Sequence, residues 1–423
     1  MPNDKVFMLT PRTTSEIGTR VAARMLIVAA VGYALNFWAW ALLSPLGPLY
    51  KELLELSSNQ QALLVAIPVL VGALGRIPVG ALTDRFGGRI MFPMISAASI
   101  VPVLFLGAFG QTSYAALIVG AFFLGIAGTI FAVGVPFVNS WFPPQKRGTA
   151  LGLYGIGMGG TAVAALTTVP LFNNVGNSSP FVITSIALTI YAAVSWLLLR
   201  DAPDRAIPAS SLISRLITTA RTAVTWQASL LYALSFGGYV AFSIFLPTYL
   251  QTAYGLELAA ASNRMAGFVI VAVVCRPLGG FLSDKISSIV VLAATYATIA
   301  VAALGLSLTP QTAEHGSIPL IATVCFLTMA AALGAGSGAV FALITELVSA
   351  DRIGSTTGFV GAAGGLGGFV PPLLLSALFE GTGSYTLGLI LLALTSVLCL
   401  FVTLTVTRRS RNVHRAHTVH SQP

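Results

Sequence analysis

Residues in this chain come in long, mostly apolar runs of about 20, set apart by short polar stretches. A bilayer core of about 30 Å is crossed by an α-helix of about 20 apolar residues, which satisfies its own backbone donors and acceptors in lipid. Twelve such runs predict twelve transmembrane helices, at 21–43, 61–81, 90–110, 113–138, 148–172, 180–199, 228–250, 264–283, 287–308, 317–343, 355–378 and 385–407. The expected fold class is an all-α membrane protein of two pseudo-symmetric six-helix bundles. Residues 1–199 form the first and 228–407 the second, with a polar linker at 200–227 between them and a basic tail at 408–423.

Composition strengthens this picture. The 423 residues are 56% hydrophobic and only 8% charged, whereas a soluble protein carries about 25% charge. The placement of the charge orients the chain. Eighteen of the 22 Lys and Arg fall in the N-terminal arm, the even-numbered loops, the central linker and the tail, and only Lys51 and Arg264 fall in the odd-numbered loops. The positive-inside rule then predicts a multi-pass cell (inner or plasma) membrane protein with both termini cytoplasmic. The net charge of +9 reflects this asymmetry. It suits anionic lipid head groups, so the bilayer is the expected partner and nucleic acid is not.

The two halves repeat one another. Tyr33–Phe37 (YALNF) recurs as Tyr232–Phe236 (YALSF), and Gly128–Ala132 (GTIFA) recurs as Gly338–Ala342 (GAVFA). Gly148, Gly152 and Gly155 of span five match Gly354, Gly358 and Gly361 of span eleven at a constant offset. GRIPVG at Gly75–Gly80 is answered by CRPLGG at Cys275–Gly280, which places Arg76 and Arg276 at equivalent depth. Repeated halves around a shared midplane site are the architecture of a secondary transporter.

Those two arginines carry the chemistry. A charge at membrane depth costs about 2.5–3.5 kcal/mol on insertion scales and marks a functional site by default. All thirteen acidic residues fall in tails, in loops or at span ends, so no carboxylate is expected beside either arginine. Buried charges need partners, and the missing partner is most simply an anionic substrate. The planar guanidinium fork suits an oxyanion. Tyr33 and Asn36 stand in the middle of span one, where Asn36 either lines the cavity or bonds a neighbouring helix. In glycine-rich spans five and eleven, Gly155 and Gly364 allow close packing and bring bare backbone near a small ligand. Gly80, Asp84, Arg85 and Arg89, with Asp284 and Lys285 in the second half, form a candidate conformational latch. Cys275, Cys325 and Cys399 are scattered through the spans, and the four histidines lie in a loop or the tail. No metal site, cofactor or enzymatic constellation is therefore expected.

GALTDRFGGR at Gly80–Arg89 resembles the G-x-x-x-D-R-x-G-x-R loop motif of the major facilitator superfamily. GRIPVG, CRPLGGFLSD, GFVGAAGGLGGFVPP and LLYALSFGGYVAFS together resemble the nitrate/nitrite porters within it. The resemblance implies a small anion held between Arg76 and Arg276, hydrogen-bonded by Tyr232 and stacked between Phe131 and Phe236. In span five, Met158 stands where that family commonly has Asn, which keeps another small organic anion open as substrate. The implied function is secondary active transport of nitrate or nitrite by alternating access, with proton symport or nitrate/nitrite exchange, in a chain expected to act as a monomer.

Overall fold

A computed structural model describes residues 18–203, 217–311, 316, 318–348 and 353–419, with side chains from 406 onward outside the description. The N-terminal arm up to residue 17, residues 204–216 of the central linker and the side chains of the basic tail thus lie outside the described residues. Among the described residues, twelve helices are long and apolar enough to cross a membrane: α1 Arg20–Leu53, α2 Ser58–Phe86, α3 Gly88–Phe109, α4 Tyr114–Trp141, α5 Thr149–Asn174, α6 Ser179–Leu198, α7 Ala223–Tyr254, α8 Leu258–Lys285, α9 Ser288–Leu308, α10 Leu320–Leu347, α11 Thr356–Thr382 and α12 Thr386–Thr405. Each coincides with one of the twelve apolar runs. The face at which α1 begins and α12 ends is called the terminal face below; the other is the far face.

The helices overrun the apolar stretches, because hydropathy ends where lipid ends and a helix ends where its hydrogen bonds are capped. The α2 helix starts at a reciprocal cap between Ser57 and Gln60 and stops at Gly87, whose φ of 84° suits glycine. It therefore carries Gly80, Asp84 and Arg85 within its last turns, and α8 likewise carries Asp284 and Lys285. The α4 and α5 helices tighten to 3₁₀ geometry in mid-membrane, at Gly125–Thr129 and Ile156–Gly159.

Lipid tails give helices no hydrophobic reason to associate with one another, so close backbone approach over small residues does that work. A Cβ on Gly334, Gly338 or Gly279 would strike backbone of the facing helix, which seats α8, and with it Arg276, directly on α10. Gly160 sits against the Ala34 carbonyl of α1, and Gly237 and Gly367 let α7 and α11 touch. The two halves meet chiefly where α2 lies on α11 and α5 lies on α8.

The far face is sealed by hydrogen bonds between the halves. Ser44 Oγ donates to the Ile244 carbonyl at 2.5 Å, and Gln61 Nε2 donates to Thr248 Oγ1 at 2.9 Å. The backbone N–H of Asn59 donates to the Glu380 carboxylate at 3.0 Å, and the Asn59 side chain donates to the same group. That carboxylate sits on the first turn of α2, where the helix dipole favours an anion.

Candidate functional site

The site forms at mid-membrane, where the four helices of the interface cross. Arg76 of α2 is 5% exposed and Arg276 of α8 is 3% exposed. Phe236 of α7 lies between them. The guanidinium carbons stand 5.6 Å (Arg76) and 5.4 Å (Arg276) from the centre of its ring. A cation over an aromatic face gains about 2 kcal/mol or more when desolvated. Phe131 supports Arg76 at 5.1 Å and Phe341 supports Arg276 at 6.0 Å.

The two arginines are equivalent in sequence and unequal in their bonds. Arg276 is engaged at both terminal nitrogens, donating from Nη2 to Tyr232 Oη at 3.1 Å and from Nη1 to Met158 Sδ at 2.9 Å. Arg76 donates from Nη1 to the Gly361 carbonyl at 2.6 Å, while its Nε is buried without a partner. None of these acceptors is a carboxylate. A thioether is a weak acceptor and carries no charge. Two cations thus face each other across one ring with only neutral partners, an arrangement that attracts a small anion and repels a cation.

Glycines set the clearances. A Cβ on Gly155 would lie 2.9 Å from Arg276 Nε, and one on Gly365 would lie 3.1 Å from Arg76 Nη1. A Cβ on Gly364 would enter the Tyr232 ring and reach within 3.2 Å of Phe236. One helical turn toward the terminal face, on the same sides of their helices, Gly80, Gly280 and Gly358 have nothing within 4 Å of a Cβ position. Open space therefore begins just below the site on the terminal side, while the far side is bonded shut.

Of the residues singled out in the sequence, Arg76, Arg276, Tyr232, Phe131, Phe236, Met158, Gly155 and Gly364 come together here. Tyr33 is also here, stacked on Tyr154 at 4.9 Å and tilted against Phe131 at 5.8 Å. Asn36 takes the other of its two expected roles and bonds a neighbouring helix. Its amide donates to the Gly32 carbonyl and to Ser96 Oγ, both at 2.8 Å, and so bonds α1 to α3. The latch candidates lie at the terminal-face ends of α2, α3 and α8. Gly80 borders the open space, the Arg85 guanidinium carbon stands 5.5 Å from the Phe86 ring, the Arg89 backbone N–H donates to Asp201, Asp284 is exposed, and the Lys285 ammonium sits 4.5 Å from the Phe281 ring.

Sequence reasoning missed Phe341 and the pair Tyr239–Thr161. Phe341 could have been found, since GTIFA and GAVFA put it at the position equivalent to Phe131. Tyr239 and Thr161 had no such signal. Tyr239 Oη lies 2.9 Å from Thr161 Oγ1 and donates to the Met158 carbonyl at 3.1 Å, at the point where the 3₁₀ turn of α5 loosens the helical ladder. A separate cavity of about 240 Å³ opens between α7, α11 and α12, but its walls are almost wholly apolar and include neither arginine.

Residues 29–372 match the family model for the Major Facilitator Superfamily. The chain is 45% identical over 388 residues to a probable nitrate/nitrite transporter NarK2 of Mycobacterium tuberculosis, covering 91% of this chain and 97% of that one. It is 36% identical over 358 residues to a nitrite extrusion protein of Bacillus subtilis, covering 85% and 88%. Among solved structures it resembles a bacterial homologue of the human lysosomal transporter Spinster in an inward-facing, occupied conformation. That match has a TM-score of 0.69 and 19% identity, covering 91% of this chain and 97% of the other.

Proposed function

Because this chain belongs to the major facilitator superfamily, and within it to the nitrate/nitrite porters, we propose that it carries nitrate or nitrite across the cell membrane by alternating access, with the anion bound between Arg76 and Arg276. The observation that carries this reading is the pair of buried guanidiniums sharing the Phe236 ring without an acidic partner among the described residues. A flat, weakly hydrated monoanion suits an aromatic face and a guanidinium edge together. The positive-inside pattern puts both termini in the cytoplasm. On that orientation the sealed far face looks outward and the open space below the site leads to the cytoplasm. The site lies within one chain, so a monomer suffices.

The coupling reading rests on the charges. Among the described residues no carboxylate lines the site, so a proton would have to ride on Tyr232, on water or on the charge balance of the anion itself. Exchange of nitrate for nitrite would need no proton carrier.

Liposomes containing the purified protein test this directly. Nitrate uptake should appear either with an imposed proton gradient, which identifies symport, or only with nitrite inside, which identifies exchange. Arg76→Lys and Arg276→Lys should each lose at least about tenfold, because a point charge does not reproduce the fork. Absence of nitrate and nitrite uptake under both conditions, or near-normal uptake by both lysine variants, overturns the reading.

A further inference from the structure

The internal repeat makes each half carry the same three groups: an arginine, a tyrosine and a phenylalanine. In the second half these are Arg276, Tyr232 and Phe341, and the set is closed. Tyr232 Oη accepts from Arg276, and the Tyr232 and Phe341 rings meet at 4.9 Å. In the first half they are Arg76, Tyr33 and Phe131, and the set is open. Tyr33 and Arg76 flank the same Phe131 ring, at 5.8 and 5.1 Å, yet the Tyr33 hydroxyl and the Arg76 Nε are both buried with no hydrogen-bond partner.

Two orphaned donors on one ring are a specific deficit. A buried O–H or N–H without an acceptor costs free energy, which native structures avoid almost everywhere. Gly361 holds Nη1 of Arg76, and the Nε–H of a guanidinium points to the side away from Nη1, along the edge that binds oxyanions in a fork. The far-face tyrosines Tyr50 and Tyr249 also have unpartnered hydroxyls. Tyr33 differs from them in standing beside an arginine with an unused donor, at the position equivalent to Tyr232.

We infer that Tyr33 is a substrate ligand that helps set anion specificity, its hydroxyl donating to the same oxyanion that Arg76 grips through its Nε edge. This rests on the anion-transport reading above and deepens it. The ligand class is a small oxyanion with at least two acceptor oxygens, one for the guanidinium edge and one for the phenol. Without the anion, Tyr33 carries an unmet donor; with it, the deficit is removed. Replacing Tyr33 by Phe therefore has opposite signs in the two states, which no purely structural tyrosine would show.

Thermal unfolding of the purified full-length protein tests this, with sodium nitrate titrated against sodium chloride at constant ionic strength. Nitrate should raise the Tm of the wild type, because a ligand binding only the folded state stabilises it. Tyr33→Phe should leave the Tm of the empty protein unchanged or higher, shrink the nitrate-induced shift, and raise the nitrate KM in liposomes about tenfold. Tyr191→Phe is the control. Its hydroxyl donates to the Val28 carbonyl at 3.1 Å, so that variant should lower the empty Tm and keep the nitrate shift. A Tyr33→Phe protein with the full nitrate shift and an unchanged KM overturns the inference while the transport reading stands. So does one whose empty form is several degrees less stable. No nitrate shift in the wild type removes both.

Discussion

At the scale of single residues, the site is decided by what each guanidinium nitrogen already holds. Arg276 spends Nη1 on a thioether, and that weak bond must be given up if the anion is to take the same nitrogen. Met158→Leu keeps the volume and removes the competitor. A hydrogen bond of this kind is worth about 1 kcal/mol, so nitrate should bind roughly fivefold more tightly to the variant, measured by titration calorimetry, while the empty protein becomes less stable by a similar amount. Unchanged affinity would show that Met158 stays on Arg276 throughout the cycle. The two arginines were legible in the sequence, because a charge inside a twenty-residue apolar run is too costly to be incidental. Tyr232, Phe131 and Phe236 were legible only through resemblance. Which partners each arginine takes could not be read, since a carbonyl such as that of Gly361 carries no sequence signal at all.

At the scale of helices, α5 and α11 show what their glycines are for. Those of α11 are not interchangeable. Gly364 faces the rings of Tyr232 and Phe236, Gly365 faces Ala73 and Arg76, Gly367 faces backbone of α7, and Gly358 faces open space. Gly364→Ala and Gly155→Ala should therefore reduce uptake at least tenfold, since each methyl displaces a group of the proposed anion site, Tyr232 and Phe236 in the first and Arg276 in the second. Gly358→Ala should transport like the wild type. Uptake alongside size-exclusion profiles of the purified variants separates loss of transport from loss of fold, and equal behaviour of all three would show that the helix faces are misassigned. The twelve helices themselves were plain from hydropathy. Their true ends were not, because Gly87 and the Ser57 cap act through backbone geometry beyond the apolar stretch. Asn36 shows the same limit. A lone amide in a span reads equally well as ligand or as glue, and only the position of Ser96 on α3 decides for glue.

At the scale of the whole molecule, one side of the site is closed and the other is open. Gln61 is 1% exposed in the far-face seal, bonded to Thr248 from the other half, whereas Gly358 borders open space. With Cys275, Cys325 and Cys399 replaced by Ala, a cysteine at position 358 should react readily with a water-soluble maleimide and a cysteine at 61 should be protected. Nitrate should slow the first reaction if the anion draws the halves together. Equal rates at the two positions would mean that the far face is not the closed one. The duplicated plan was visible in the repeats, but closure was not, because a repeat describes both states of an alternating machine equally well.

Each arginine takes one of its bonds from the opposite half, Arg76 from Gly361 and Arg276 from Met158. The pocket therefore resembles the shared interface of a heterodimer whose two subunits happen to be fused, and neither subunit owns it. By the repeat, Met158 and Gly364 are counterparts, so the same position that fills the space beside one arginine leaves bare backbone in the other half. This divergence helps to give the pocket a handedness, with Arg276 bonded at both terminal nitrogens and the Arg76 Nε still without a partner. An ion entering it meets a front and a back.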